Sequence, residues 1–282
     1  MCTSNITLRK FVKLYLWVVF YGLVINSLFF IAGKLPFSWE LIKVFFPFRN
    51  IHSDSFTNSF LVWWLFIPFL NILVNNMDRK MHLRLMMLML IVFSVYPFVP
   101  KVLNIDMNPI CWFSTLFIIA SYIRKYPETI WKSNNTYVWG WISFMFIVLS
   151  MLSVLSILFL GHYLNKPLPQ YYLVSDSNMP LAVVVSVSSF MFFKNLKIGY
   201  HSFINTIAAS SFGVLLIHAN SDTMRQWLWK DVVDCVDHYN NFMFPLYAIA
   251  SCVIIYVVCT IIDCFRQKYI EPLYMHLFER KK

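Results

Sequence analysis

The stretch TLRKFVKLYLWVVFYGLVINSLFFIAG, residues 7–33, decides what kind of fold this chain can have. Basic residues stand at its start, and an apolar run long enough to cross a lipid bilayer follows them. A signal peptide has an apolar core of only about 7–15 residues before an A-x-A-like cleavage site. This run is longer and fits that site poorly, so it predicts an uncleaved membrane-spanning helix.

The composition carries the same message through the whole chain. Of its 282 residues, 59% are hydrophobic and 13% are charged, and the mean hydropathy is +0.63. A soluble domain has roughly 45–50% apolar and about 25% charged residues, so this chain is expected to face membrane lipid. The net charge of +10 does not indicate a nucleic-acid partner, because the basic residues are scattered between apolar runs instead of clustered.

The sequence predicts an all-α, polytopic integral membrane protein with about eight transmembrane helices, in a single domain over residues 1–282. Most of the 23 lysine and arginine residues fall on one side if the N-terminus is cytoplasmic, so the positive-inside rule predicts that both termini are cytoplasmic. The connection 34–58 is predicted to form an amphipathic helix at the membrane interface. The eight apolar segments are 14–33, 59–74, 85–99, 110–123, 138–160, 180–193, 204–217 and 244–265.

A burst of polar residues ends the seventh apolar segment. In the stretch SSFGVLLIHANSDTMRQWLW, residues 210–229, the polar residues His218, Asn220 and Arg225 follow the apolar run. That run contains the small-residue stretch AASSFG, residues 208–213. Small residues let neighbouring helices approach closely, and ionisable groups at membrane depth are functional candidates. The other interpretation is that His218 and Arg225 anchor the helix end at the interface beside tryptophans. We favour a protein-lined cavity into which this burst opens.

A second cluster, Arg9, Lys10 and Lys13, stands at the start of the first segment. Lys10 and Lys13 are three residues apart and so share one helical face. They are suited to hold phosphate groups as point charges, although anchoring by the positive-inside rule explains them as well. The six cysteines form no CxxC pair, and the chain contains no HExxH, GxSxG or Walker motif. We therefore expect no metal site and no bound cofactor.

Three stretches, in this order, resemble the acyltransferase-3 family of polytopic membrane O-acyltransferases, especially the branch that modifies bacterial cell-surface polysaccharides. They are RKFVKLYLWVVFYGLVI, FLVWWLFIPFLNILV and SNMPLAVVVSVSSFMFFKNLKIGYHSFINTIAASSFGVLLIHAN, the last followed by MRQWLW. The resemblance implies a multi-pass protein of a bacterial inner or plasma membrane. Acyl-CoA would supply the acyl group from the cytoplasmic side, and a glycan or lipid-linked sugar would accept it on the outer side.

The resemblance also implies roles for individual residues. Lys10 and Lys13, beside Arg9, match the family's basic pair that is expected to meet the donor's phosphates. His218, Asn220 and Arg225 match the late-helix motif that is expected at the acceptor end. His218 and Arg225 are thus the predicted catalytic residues, and Asn220 joins the basic cluster as substrate-binding.

One part of the family's pattern has no counterpart in this chain. Family members have two further helices ahead of this point, the first of which carries an arginine and a histidine, and that histidine is thought to be the catalytic base. Nothing before Leu8 resembles that motif. By resemblance, the chain is N-terminally truncated, either as a fragment or as a paralogue without that base.

Two other function classes stay open at this point. The first is a non-catalytic relative that binds glycan lipid or assembles with a second copy or a paralogous acyltransferase. The second is a transporter or polymerase of lipid-linked sugars. A protein of that second class is expected to have acidic residues at membrane depth or an arginine-rich outer loop, and the sequence predicts neither.

Overall fold

The structure, a computed structural model, describes residues 8–36, 56–98, 108–127 and 136–279. The interfacial helix predicted in 34–58 lies almost wholly outside these residues. Regular structure in the described ranges is helical, without a strand, so the all-α prediction is confirmed there. The helices are α1 (Leu8–Ile31), α2 (Phe56–Asn76), α3 (Arg79–Leu90), α4 (Pro109–Lys125), α5 (Thr136–Tyr163), α6 (Pro180–Asn195), α7 (Ser202–His218), α8 (Asp222–Gln226), α9 (Cys235–His238), α10 (Phe244–Phe265) and α11 (Glu271–Glu279).

In the part of the chain that the structure describes, three wide π-helical turns interrupt this pattern. Ile91–Val95 extends α3 into a last turn at Tyr96–Phe98, Trp227–Val232 extends α8, and Arg266–Ile270 joins α10 to α11. A π turn bonds each N–H to the carbonyl five residues back, which widens the helix by one residue, and such turns are frequent at functional sites.

Several helices are long and apolar enough to cross a membrane. In the described ranges four meet that test, namely α1, α2, α5 and the continuous run Phe244–Leu277, and a fifth span results if α7 and α8 with its extension count as one bent helix. Each of the eight predicted apolar segments falls on a helix as far as it is described, except for the last residues of the first segment. The chain is therefore a helical membrane protein.

The surface of α5 shows what surrounds these helices. Only 6% of its most apolar window is buried inside the protein, and Trp141 and Phe159 are 65% and 71% exposed. Contiguous apolar surface of this extent is rare on soluble monomers, whereas lipid tails accept it without cost.

The helices form two compact units. The central unit contains the described residues of 62–198, and the terminal unit contains 8–36, 56–61 and 199–279. In the central unit α5 packs antiparallel to α6. The Thr136 hydroxyl donates to the Asn195 carbonyl oxygen at 3.1 Å, and a Cβ on Gly140 would lie 3.1 Å from the Phe192 ring.

The same central unit buries a histidine between α3 and α4. His82 is completely buried, and its Nε2 donates to the Ile118 carbonyl oxygen at 3.1 Å, with the Ser121 hydroxyl 3.2 Å away. Burial lowers the pKa of His82, which lies ahead of the apolar segment 85–99. The positive charge of Lys125 also lowers the pKa of His82. The same lysine caps α2 by donating to the Val74 carbonyl oxygen at 2.8 Å.

In the terminal unit, α1 packs against α7, and α7 against α10. The end of α1 meets the extension of α8, where the Phe29 and Trp227 rings lie 5.7 Å apart and Lys34 pairs with Asp231 at 2.6 Å. The buried apolar residues at the centre of this packing are Tyr21, Ile25, Phe29, Val214, Leu216, Ile217, Met224 and Cys259.

The lowered pKa of His82 predicts a loss of stability in mild acid. Protonation of this ring is costlier in the fold than in the unfolded chain, so the free energy of unfolding should fall as the pH drops below about 6.5, by at most about 1.4 kcal/mol per pH unit. Thermal unfolding of the detergent-solubilised protein between about pH 5 and 7 measures how this free energy depends on pH. His82→Asn should flatten this slope, whereas His201→Gln, at an exposed histidine, should leave it unchanged. An equal slope in all three proteins would contradict the assignment.

Candidate functional site

The predicted polar burst lies at a sharp bend. α7 ends at His218, α8 begins at Asp222, and the two helices meet at 94°. The Ser221 hydroxyl accepts a hydrogen bond from the Met224 backbone N–H at 3.2 Å and thereby caps α8. The polar residues therefore lie at the point where an apolar helix is interrupted.

His218 and Asn220 bond back to the end of α7. His218 Nδ1 lies 2.7 Å from the Val214 carbonyl oxygen, and Asn220 Nδ2 donates to the Leu216 carbonyl oxygen at 3.0 Å. The Asn220 contact satisfies one of the last carbonyls of α7, which a helix end leaves without an intrahelical partner. Because a carbonyl oxygen only accepts, the His218 contact requires the proton on Nδ1, which leaves Nε2 of the neutral ring as an acceptor.

Arg225 is placed differently. It forms an ion pair with Asp222, and the two side chains are 55% and 82% exposed. In the described part of the chain no hydrogen bond or ion pair joins Arg225 to His218 or Asn220. The structure thus brings the three predicted residues to one bend without bringing them into mutual contact.

The predicted basic cluster does come together. Arg9, Lys10 and Lys13 line a cavity of about 650 Å³ at the start of α1, which we call the basic cavity. Its other described lining residues belong to α11: Glu271, Pro272 and Met275. Inside it the Lys13 ammonium group forms an ion pair with one oxygen of the Glu271 carboxylate.

Deeper in the terminal unit lies a buried ion pair between Asp263 and Arg266. Their side chains are 0% and 1% exposed. Asp263 Oδ1 accepts from Arg266 Nε at 2.8 Å and from the Tyr21 hydroxyl at 2.9 Å, while Oδ2 accepts from Gln267 Nε2 at 2.7 Å. A charged group is tolerated in the interior of a protein only when it is paired with an opposite charge and hydrogen-bonded. Asp263 and Arg266 pair with each other and form hydrogen bonds.

Arg266 connects this buried pair to the basic cavity. Its Nη1 donates to Glu271 Oε2 at 3.0 Å and to the Tyr274 hydroxyl at 2.7 Å, and its guanidinium carbon lies 4.3 Å from the centre of the Trp17 ring. The second oxygen of Glu271 then meets Lys13. A continuous chain of alternating charges therefore runs from Asp263 to the lysine of the basic cavity.

The π turn Arg266–Ile270 makes this chain possible. In an α-helix each residue turns by about 100°, so two residues five apart point roughly 140° away from each other. In a π-helical turn residues five apart return to nearly the same face. Arg266 and Glu271 are five apart, and the wide turn brings them within hydrogen-bonding distance.

Gly213 provides the space that Asp263 occupies. A Cβ built on Gly213 would lie 2.2 Å from the Asp263 Cγ, closer than atoms can approach. Ser210, one turn earlier on α7, is completely buried and accepts from Gln267 Nε2 at 3.3 Å. The close helix approach predicted from AASSFG is therefore confirmed, and its partner is α10.

The expectation that no acidic residue lies at membrane depth is wrong. Asp263 stands inside the apolar segment 244–265 and is fully buried, and Arg266 is buried beside it. The signal was present in the sequence, because Asp263 is the one ionisable acid in that segment and an arginine follows three residues later.

Comparisons of the chain with protein-family models, with curated proteins and with solved structures found no match. The site therefore has to be interpreted from its own geometry and chemistry.

We predict that Gly213→Ala strongly destabilises the terminal unit. The new methyl group would collide with the Asp263 carboxylate, which cannot move without losing its partners, and overpacking of this kind costs about 1–3 kcal/mol or more. Thermal unfolding in detergent measures the loss. Gly199→Ala is the matched control, because nothing lies within 4 Å of a Cβ at that position. Equal unfolding temperatures for the two variants would refute the close packing.

Proposed function

We propose that this chain is a membrane O-acyltransferase that moves an acyl group, in the simplest case acetyl, from acyl-CoA to a hydroxyl of a cell-envelope glycan or lipid-linked sugar. One observation carries the proposal. The two residues that the family resemblance assigns to the donor's phosphates, Lys10 and Lys13, line a single cavity together with the neighbouring Arg9.

The basic cavity suits the phosphate-bearing part of such a donor. Its volume of about 650 Å³ lies within the range of about 300–1,000 Å³ that is typical of small-molecule sites. Lysine and arginine bind phosphate oxygens through charge-assisted hydrogen bonds, which are about twice as strong as neutral ones. Pro272 and Met275 add apolar surface to its lining.

In the proposed topology the chain has eight spans and both termini are cytoplasmic. The basic cavity then opens to the cytoplasm, where acyl-CoA is found, and the bend at His218 lies toward the outer side. The Lys13–Glu271 ion pair supports this arrangement, because it joins the first described helix to the last and thus favours the same membrane side for both. The basic start of α1 agrees with the positive-inside rule.

The reaction would join the two ends of the terminal unit. Eight residues of α1 separate Lys13 from Tyr21, which bonds Asp263 beside Gly213, and five residues of α7 separate Gly213 from His218. At 1.5 Å per helical residue this amounts to about 20 Å, which the donor's extended thioester arm has to span.

In the transfer step the acceptor hydroxyl oxygen attacks the thioester carbonyl carbon. A carbon–oxygen bond forms, the carbon–sulfur bond breaks, and the hydroxyl proton passes to a base and then to the leaving thiolate. His218 is the proposed base, because its Nδ1 contact leaves Nε2 free to accept a proton. Asn220 and Arg225 are the proposed donors to the developing oxyanion.

Asp263 favours a second candidate, a transporter or polymerase of lipid-linked sugars. Ionisable residues inside apolar helices mark transport pathways in many membrane proteins. Its complete burial and its three hydrogen bonds suit a structural role better. Glycan acylation that depends on acyl-CoA would separate the two candidates, since a transporter or polymerase needs no acyl donor.

We predict that Lys13→Gln weakens binding of coenzyme A to the purified, detergent-solubilised chain by about tenfold, the effect of losing one partly buried charge contact. Isothermal titration calorimetry measures the affinity, and the salt dependence of binding should decrease in the variant. Lys34→Gln is the matched control, because this lysine lies just beyond the other end of α1 and pairs with Asp231. The proposal fails if coenzyme A binds equally well to both variants.

We predict that His218→Ala abolishes transfer of labelled acetyl from acetyl-CoA to membrane glycan, because a general base contributes about 10²–10⁴-fold to such a rate. The label is followed in membranes that contain the full chain. His201→Ala is the control, since this exposed histidine lies at the opposite end of α7. Transfer at the wild-type rate in His218→Ala would exclude this residue as the base.

A further inference from the structure

We propose that Glu271 is a built-in counter-ion of the basic cavity. A phosphate group of the ligand displaces its carboxylate from Lys13, and the ion pair forms again when the ligand leaves. This inference rests on the proposed function in one respect, namely that the basic cavity binds phosphate groups. It adds a residue to which the family resemblance gives no role.

The two partners of the ion pair differ in how firmly they are held. The Glu271 side chain is 15% exposed, and Arg266 Nη1 fixes its Oε2 at 3.0 Å. Lys13 is 47% exposed and carries its charge on a flexible four-carbon stem. The ammonium group is therefore the mobile partner, and it can turn to a ligand while the carboxylate stays in place.

Displacement does not leave the Glu271 carboxylate without a partner. When Lys13 turns away, Glu271 keeps the hydrogen bond from Arg266, which is itself held by Asp263 at 2.8 Å. Removing the only partner of a buried charge is strongly destabilising, and the guanidinium group prevents that situation here. The exchange of carboxylate for phosphate is thus energetically mild. Arg266 acts as a positioning residue.

This arrangement matters because the donor and the spent donor carry the same phosphate groups. A cavity whose three cations met no opposing charge would hold the spent donor as tightly as the donor, and release would limit turnover. Glu271 competes for Lys13 and repels the phosphates, so it weakens binding of both molecules. Because the Coulomb energy is proportional to the ligand's charge, this effect should increase with the number of phosphate groups.

The test uses Glu271→Gln in the full chain, purified in detergent, with inorganic pyrophosphate and phosphate as probes in calorimetry. We expect pyrophosphate to bind about three- to tenfold more tightly to the variant, a range between an exposed and a partly buried ion pair, and phosphate to gain less. Asp231→Asn is the matched control, because it removes the carboxylate that pairs with Lys34 at the opposite end of α1. That control should bind both probes as the wild type does.

A double-mutant cycle with Lys13→Gln tests whether Glu271 weakens pyrophosphate binding through its contact with Lys13. If Glu271 acts by competing for Lys13, the gain from Glu271→Gln should shrink in the Lys13→Gln background. If Glu271→Gln unfolds at a lower temperature, Glu271→Asp replaces it, since the shorter side chain keeps the charge but withdraws it from Lys13. Pyrophosphate should then bind more tightly, by a smaller factor.

Pyrophosphate affinity that is unchanged or weaker in the Glu271 variants overturns the inference, and so does the absence of pyrophosphate binding in both wild type and variants. Tighter pyrophosphate binding without any acyl transfer would uphold the inference and reject the acyltransferase. Acyl transfer with unchanged pyrophosphate affinity would do the opposite. The two proposals can therefore fail separately.

Discussion

The terminal unit depends on one constraint, which is the need to neutralise a carboxylate inside apolar helices. Asp263 obtains a guanidinium group from the next turn of its own helix and a hydroxyl from Tyr21 on α1. It also requires a glycine on α7, since a Cβ at position 213 would collide with the carboxylate. Because an unpaired charge in this environment is very costly, α1, α7 and α10 are stable only together.

The same constraint also organises the lining of the basic cavity. Arg266 donates through one nitrogen to Asp263 and through another to Glu271, so the position of the Glu271 carboxylate depends on the buried Asp263 carboxylate. Lys13 then forms its ion pair with this carboxylate at the start of α11. The buried pair and the basic cavity are thus two ends of one electrostatic chain, in which the inner end is rigid and the outer end is accessible.

The sequence predicts the helices and their apolar segments well, because hydropathy over about 20 residues is a local property. It also predicts that Lys10 and Lys13 share a face, since residues three apart on a helix are neighbours. It does not predict the partners of Asp263, because Tyr21 lies 242 residues away along the chain. A single carboxylate barely changes the average of an apolar window, so hydropathy does not single out Asp263. Nor does spacing reveal that Arg225 turns outward to Asp222.

The wide turn between α10 and α11 also fixes the rotational phase of the C-terminal helix. Every residue of α11 shares this rotation, including the buried Met275 and the exposed Leu273 and Leu277. Four residues of α-helix turn by about 400°, close to the angle that five residues of a wide turn complete, so the loss of one residue from 266–270 would leave α11 at nearly the same angle about its axis. One further residue in this stretch would instead rotate all of α11 by about 100°. Related sequences should therefore tolerate a one-residue deletion there better than an insertion.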